Sequence, residues 1–282
     1  MPPSIQLAAP PTLSARPLVY GLEGAGEVSL RWEPWSTMPA VLRSGEVDAA
    51  LLPSIDYPRL VGDAERARTH TGSGPAAPRH FVILPVPAIT SRGAVGGLRL
   101  IGYADKDKLR RVLLDPASPT GSAMARLVVL RQFGARPHFV MPDDMKSPAA
   151  RRPDAELLVG ARALAADPPA AQWGLDLGAE WHSTRYLPMV YAMWVARADG
   201  PVERLEEILA EAAAKGLAAR EAIVAEAAAK SKLPAEVIHR FLFDQTRYAF
   251  GAKEEQGLEA FLTMAAEEGL APEGVRLRLG RV

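Results

Sequence analysis

The stretch Arg111-Val112-Leu113-Leu114-Asp115-Pro116-Ala117-Ser118-Pro119-Thr120-Gly121-Ser122 passes from a short apolar run, through a turn rich in Pro and Ser, into a helical pattern that continues to Phe133. A short apolar run bounded by turn residues reads as a buried strand, and apolar residues recurring every three to four positions read as a helix. The unit is therefore strand, turn, helix. The same alternation recurs on both sides of it. Strands are expected at Val28–Trp32, Val47–Leu52, Phe81–Val86 and Glu156–Val159, several of them bounded by Gly or Pro. Helices are expected at Leu18–Leu22, Met38–Ser44, Ser122–Phe133 and Leu175–Ser183. Strands alternating with helices give an α/β class in which helices cover mainly parallel strands.

The chain of 282 residues is long enough for two structural units at about 150 residues each. Lys plus Arg and Asp plus Glu number 33 each, so no net charge marks the chain for nucleic acid or an anionic membrane. Cysteine is absent, which removes thiolate catalysis, disulfides and Cys-based metal centres. The N-terminal stretch lacks a basic segment followed by an apolar one, and no apolar run reaches roughly 18 residues; a cytoplasmic protein is the expectation. The polar segment Asp63–Arg79 reads as an exposed insertion, and His70, His80, His138, His182 and His239 are scattered without metal-site spacing.

Beyond Arg197 the pattern becomes nearly continuous helix, over Val202–Lys230, Pro234–Phe250 and Glu254–Glu268. Glu211 and Lys215, then Glu226 and Lys230, stand four residues apart, a weakly stabilising arrangement on a helix surface. Gly216 is expected to interrupt or cap the first helix. The helices read either as a solvated cover or as a partner-binding surface, with the cover preferred.

Searches for chemistry return no dinucleotide fingerprint, no phosphate loop and no nucleophile elbow. What recurs is a set of hydroxyl and glycine residues at expected strand ends: Ser14 with Arg16, Ser36 with Thr37, Ser54, Ser91 with Gly93, and Ser118 with Thr120, Gly121 and Ser122. The last group opens a helix, where backbone N–H groups and hydroxyls suit an anion such as a carboxylate. A plain helix cap at Ser118 or Thr120 explains the same residues equally well.

Several of these segments together resemble the chorismate dehydratases, the first enzymes of the futalosine route to menaquinone. Thr12-Leu13-Ser14-Ala15-Arg16-Pro17 resembles the family's Tyr-Leu-Asn-x-x-Pro, and Gly45-Glu46-Val47-Asp48 through Ser54-Ile55-Asp56-Tyr57 resembles its Gly-x-x-Asp-(apolar)-Ser-x-Glu-Tyr. Ser91-Arg92-Gly93-Ala94-Val95 is similar to a Ser-x-Gly-x-Val element, and Ser118-Pro119-Thr120-Gly121 to a Ser-Arg-Thr-Ser element. Asp176-Leu177-Gly178-Ala179-Glu180-Trp181, followed by Leu187-Pro188-Met189-Val190-Tyr191-Ala192-Met193-Trp194, resembles the remaining signature. The resemblance runs in order along nearly the whole chain.

It implies a two-lobed fold of the type II periplasmic-binding-protein kind with a ligand cleft between the lobes. Lobe 1 would hold residues 1–88 and 190–282, lobe 2 residues 89–189, and the crossings would fall near Val86–Ser91 and Val190–Arg197. The implied reaction is loss of water from chorismate to give 3-[(1-carboxyvinyl)oxy]benzoate, with no metal or organic cofactor. The substrate's own enolpyruvyl carboxylate would take the proton while the cleft enforces geometry. By the same resemblance Ser14 is the catalytic position, and Ser36, Ser91, Gly93, Ser118, Thr120, Gly121 and Arg16 bind substrate, with Arg92 a second possible cation. The family's Asn is Ser14 here, its preceding Tyr is Thr12, its Arg is Pro119 and its second Ser is Gly121. Asp56, Tyr57, Trp181, Trp194 and Asp115 read as structural before they read as site residues. The competing functions are a binding protein that kept the cleft without the chemistry, and the sister enzyme of the same pathway that forms a dihydroxynaphthoate.

Overall fold

Two mixed sheets organise the computed structural model, which describes residues 5–24, 26–63, 80–146, 152–165 and 168–280. In the first, β1 (Ile5–Ala9) pairs in parallel with β2 (Val28–Trp32) and β3 (Ala49–Pro53). β11 (Met189–Arg197) then runs antiparallel to β3, to β4 (Phe81–Ile83) and to β5 (Ile89–Ser91). Every residue of β3 is buried, as is β11 from Met189 to Ala196, and a continuous apolar run is what a strand covered on both faces requires. The second sheet is ordered β10 (Trp173–Asp176), β6 (Leu98–Gly102), β9 (Ala155–Val159), β7 (Arg111–Leu113), β8 (His138–Val140).

The chain leaves the first sheet through β5, builds the second from residues 98–176, and returns through β11, so two α/β lobes are joined by two antiparallel neighbours. That return explains a departure from the expected parallel arrangement: β11 enters the first sheet from its far side and meets β3 head to tail. The insertion read over Asp63–Arg79, including His70, lies outside the described residues except for Asp63.

Local chemistry accounts for where the elements begin and end. The apolar segment expected as a helix at Leu18–Leu22 is one 3-10 turn, Arg16–Val19, because Pro17 starts it and Gly21, at φ +76°, ends it. α1 (Met38–Ser44) stops at Gly45 in the left-handed region, and residues 57–63 form α2. α3 (Pro119–Leu127) starts three residues earlier than expected, with Pro at its first position and the Ser118 hydroxyl accepting from Gly121 N–H at 3.1 Å. The helix expected at Leu175–Ser183 gives its first two residues to β10. α5 (Leu177–Arg185) follows, capped by Asp176, whose carboxylate accepts from Ala179, Val95 and Gly96 N–H. The short helix α4 (Ala161–Leu164) follows β9.

The C-terminal region divides into α6 (Val202–Ala218), α7 (Arg220–Lys230), α8 (Ala235–Arg240) with a wider turn at Phe241–Gln245, and α9 (Ala252–Glu267). The expected break at Gly216 is corrected: the helix bends at Ala219, and Gly216 sits buried inside α6 against the backbone of Pro17. Both Glu-to-Lys pairs form, Lys215 with Glu211 and Lys230 with Glu226, each at 2.7 Å.

Candidate ligand cleft

A cavity of about 710 Å³ opens where the two sheets face each other. Its wall collects the segments that follow β1, β2, β3, β7 and β9, where open α/β sheets place their ligands: Pro10–Ser14, Pro34–Ser36, Pro53, Pro116–Thr120 and Val159–Ala161. Ile89 and Tyr191 on the crossing strands form the floor between the lobes. Among the described residues that line the cavity, none is acidic, basic or a histidine, and its polar side-chain groups are hydroxyls and the indole of Trp35.

Of the residues singled out in the sequence, the fold brings Ser14, Ser36, Ser118 and Thr120 to this wall. Ser14 is half-buried, its hydroxyl 3.3 Å from that of Thr12, and Ser36 stands exposed at the mouth. Ser118 spends one acceptor position on its helix cap, as the cap reading expects, and it also borders the cavity. Thr120 is buried, donates to Tyr191 C=O at 2.9 Å and lies 3.3 Å from the Ser54 hydroxyl, which itself donates to Val190 C=O at 2.8 Å. These two hydroxyls tie α3, in one lobe, to the crossing strand β11.

Of the residues that the resemblance assigns to the site, Gly121, Ser91, Gly93 and Arg16 stand off the wall. Gly121 is packed beneath it: a Cβ there would lie 2.6 Å from Ser118 Oγ and 2.8 Å from Leu98 Cδ2. Ser91 donates to Gly93 C=O at 3.1 Å and shares a 2.8 Å hydrogen bond with Tyr191 OH, whose burial raises its pKa well above the usual phenol range. Gly93 accepts that bond in a turn at φ +106°. Arg16 turns outward to Glu226 at 2.6 Å; the hydrogen bond from Lys230 and then that from Arg16 hold the Glu226 carboxyl down at about 2. Arg92 is exposed. No positive charge reaches the cavity from either arginine.

Of the residues that sequence reasoning missed, Trp35, Gly97, Leu98, Gly160, Ala161 and Leu164 come from the two lobes and a further group from the end of the chain. Ala227, Ser231, Leu233, Ile238, Phe241 and Thr246 form one side of the cavity, so the C-terminal helices are part of its wall rather than a solvated cover. Nothing local marks them, since an apolar helix face looks the same whether it meets a core or a cavity.

Asp56, Tyr57, Trp181 and Trp194 are structural. Tyr57 OH accepts from Arg278 N–H, and Trp181 Nε1 donates to Pro188 C=O at 3.2 Å. Asp115 caps its own turn by accepting from Ala117 N–H. Asp56 is the most perturbed of these groups. Burial raises its carboxyl from 3.8 to about 6, and Arg59, at 3.4 Å, offsets this only in part. A raised folded-state pKa contributes stability that is present below pH 3.8 and lost as pH climbs through about 6. Asp56→Asn is therefore expected to be more stable than the parent at pH 7.5, by about 2–3 kcal/mol, the rise from 3.8 to about 6 already containing the Arg59 attraction. Thermal unfolding should show that advantage vanish at pH 4, and an equal gain at both pH values would overturn the assignment.

Comparison with known proteins adds three findings. A family model described as "Menaquinone biosynthesis" matches residues 73–267. A curated chorismate dehydratase of Thermus thermophilus is 28% identical over 275 residues, which cover 87% of this chain and 94% of that protein. Among solved structures, a structural-genomics protein of Archaeoglobus fulgidus superposes with a TM-score of 0.67 at 19% identity, covering 95% of this chain and 98% of its own. The periplasmic aliphatic sulphonate binding protein of Escherichia coli gives 0.61 at 18%, covering 98% and 90%. The two-lobed architecture is that of the periplasmic binding proteins.

Proposed function

The chain belongs to the menaquinone-biosynthesis family, and from that premise we propose that it is a cytoplasmic lyase that removes water from chorismate to give 3-[(1-carboxyvinyl)oxy]benzoate. The observation that carries this reading is the make-up of the cleft wall, apolar side chains, hydroxyls and the Trp35 indole with no acidic, basic or histidine side chain among the described residues. A reaction whose base must come from the protein has no candidate there. The dehydration of chorismate needs none, because the substrate brings its own carboxylate to the proton. The ring carbon that bears the enolpyruvyl ether gives up its proton to that carboxylate, and the C–H electron pair becomes the third ring double bond. The neighbouring carbon releases its hydroxyl, and proton and hydroxide leave together as water. Aromatisation supplies the driving force; the cleft's part is to hold the enolpyruvyl arm over the proton and keep bulk water away. The near full-length likeness to a chorismate dehydratase supports the same substrate.

In this reading Ser14, Ser36, Ser118 and the Thr120 region bind the substrate, with Ser14 nearest the reacting carbon. The two lobes are residues 1–88 with 190–282, and residues 89–189. Hydroxyls and N–H groups can satisfy carboxylates without a paired cation. The test is to incubate the purified protein with chorismate, following the aromatic product by chromatography and mass beside a binding titration. Product forming in proportion to protein, well above the uncatalysed background, is expected. Binding without product would make the chain a chorismate-binding relative, and turnover of a cyclic futalosine derivative but not of chorismate would move it to the sister enzyme.

A further inference from the structure

The cleft has two chemically different ends. Thr12, Ser14, Ser36 and Ser118 give one end its hydroxyls. At the other, Leu13, Leu164, Ala227 and Leu233 pack with the buried pair Ile238 and Phe241 as one apolar cluster, and all six border the cavity. Three parts of the chain meet there: the loop after β1, α4 of the second lobe, and the C-terminal helices. The Phe241 ring closes the end by lying over Gly97, where a Cβ would come within 2.9 Å of Cε2. Thr246 also borders the cavity, 1% exposed, and its hydroxyl has no hydrogen-bond partner among the described residues.

The volume matters here. Pockets of roughly 300–1,000 Å³ bury ligands of drug size, and about 710 Å³ exceeds what a compact single-ring diacid fills. The six apolar side chains offer a charged group no partner, so the surplus space beside them suits an uncharged substituent. We infer that the apolar end is a second compartment of the cleft, which takes the uncharged, ring-sized substituent of an aromatic or cyclic carboxylate, joined through an oxygen that the Thr246 hydroxyl can meet. The inference rests on the cleft being the substrate site. It adds to that reading that the protein accepts acids larger than chorismate.

The probes are benzoate and 3-phenoxybenzoate, which share the carboxylate and ring and differ by an aryl ether, titrated calorimetrically into the full chain. 3-Phenoxybenzoate is expected to bind at least tenfold more tightly. Ala227→Phe, which fills the compartment from α7, should remove most of that advantage while leaving benzoate affinity within twofold. Leu233→Ser, at a half-buried position, should weaken 3-phenoxybenzoate several-fold and serves if the larger residue disturbs folding. Equal affinities for the two acids, or a preference that survives both variants, would overturn the inference. Chorismate turnover by the parent protein separates the two readings: its absence would defeat the proposed reaction, while a phenoxy preference lost on Ala227→Phe would still establish the compartment.

Discussion

Gly216→Ala is expected to lower the stability of the fold by roughly 3 kcal/mol or more, although alanine is the better helix former. Two effects oppose each other at this position. In a helix interior Ala is favoured over Gly by about 1 kcal/mol. Against that, a Cβ on Gly216 would lie 2.0 Å from the carbonyl oxygen of Pro17 and 2.8 Å from its Cα. Both obstacles are backbone, so no rotamer change relieves them; α6 and the turn Arg16–Val19 must separate, opening a packed region of the core to which buried Leu18 of the turn and Ala212 and Ala213 of α6 belong. The clash outweighs the propensity. For a domain of this size each kcal/mol moves the melting temperature by about 2–4 °C, so a drop of at least 6 °C is expected. A melting temperature equal to or above the parent's would show that α6 can slide without cost. The turn begins two residues after Ser14, so the same variant should also weaken ligand binding at the cleft.

Gly216 shows what the sequence could and could not disclose. A lone glycine in a helical stretch reads as a break or cap, because its conformational freedom is visible locally and its closeness to Pro17 is not. The strands Val28–Trp32, Phe81–Ile83, Arg111–Leu113 and Ala155–Val159 were legible within a few residues, since each is an apolar run fenced by turn chemistry. β1 was not, because its Ala8 and Ala9 carry little strand preference, and β10 was absorbed into the helix it precedes, its four residues too few for a period of their own. The position of Ser14, Ser36, Ser118 and Thr120 on the cavity wall was legible because residues at strand ends in an α/β sheet converge on one crevice. Ser91 and Gly93 satisfy the same rule, yet their polar groups turn toward each other and toward Tyr191. The C-terminal side of the cleft depended on residues as far apart in the chain as Leu13 and Leu233 packing against one buried cluster, and pattern along the chain carries no such information.

Ser14 is where the proposed reaction meets its sharpest test. It borders the cavity half-buried, and its hydroxyl is held 3.3 Å from that of Thr12, so both small hydroxyls face the same ligand space. On the proposed mechanism the residue contributes by orienting the substrate rather than by taking its proton. Ser14→Ala should then lower chorismate turnover by roughly 30-fold, about 2 kcal/mol, the usual worth of one hydrogen bond aligned with the reacting group. The melting temperature should hardly change, because the Ser14 hydroxyl pairs with another half-buried hydroxyl and not with the core. Ser14→Asn should equal or exceed the parent: the amide is longer, keeps donor and acceptor together, and displaces the water that a shorter serine would leave beside the substrate. The pH–rate profile distinguishes orientation from acid–base work. Neither serine nor asparagine titrates near neutrality, so both variants should keep the parent's profile and differ only in height. A large fall in rate for Ser14→Asn, or an undiminished rate for Ser14→Ala, would show that the substrate is held by other groups, and the hydroxyls at Ser36 and Ser118 would be the next to vary.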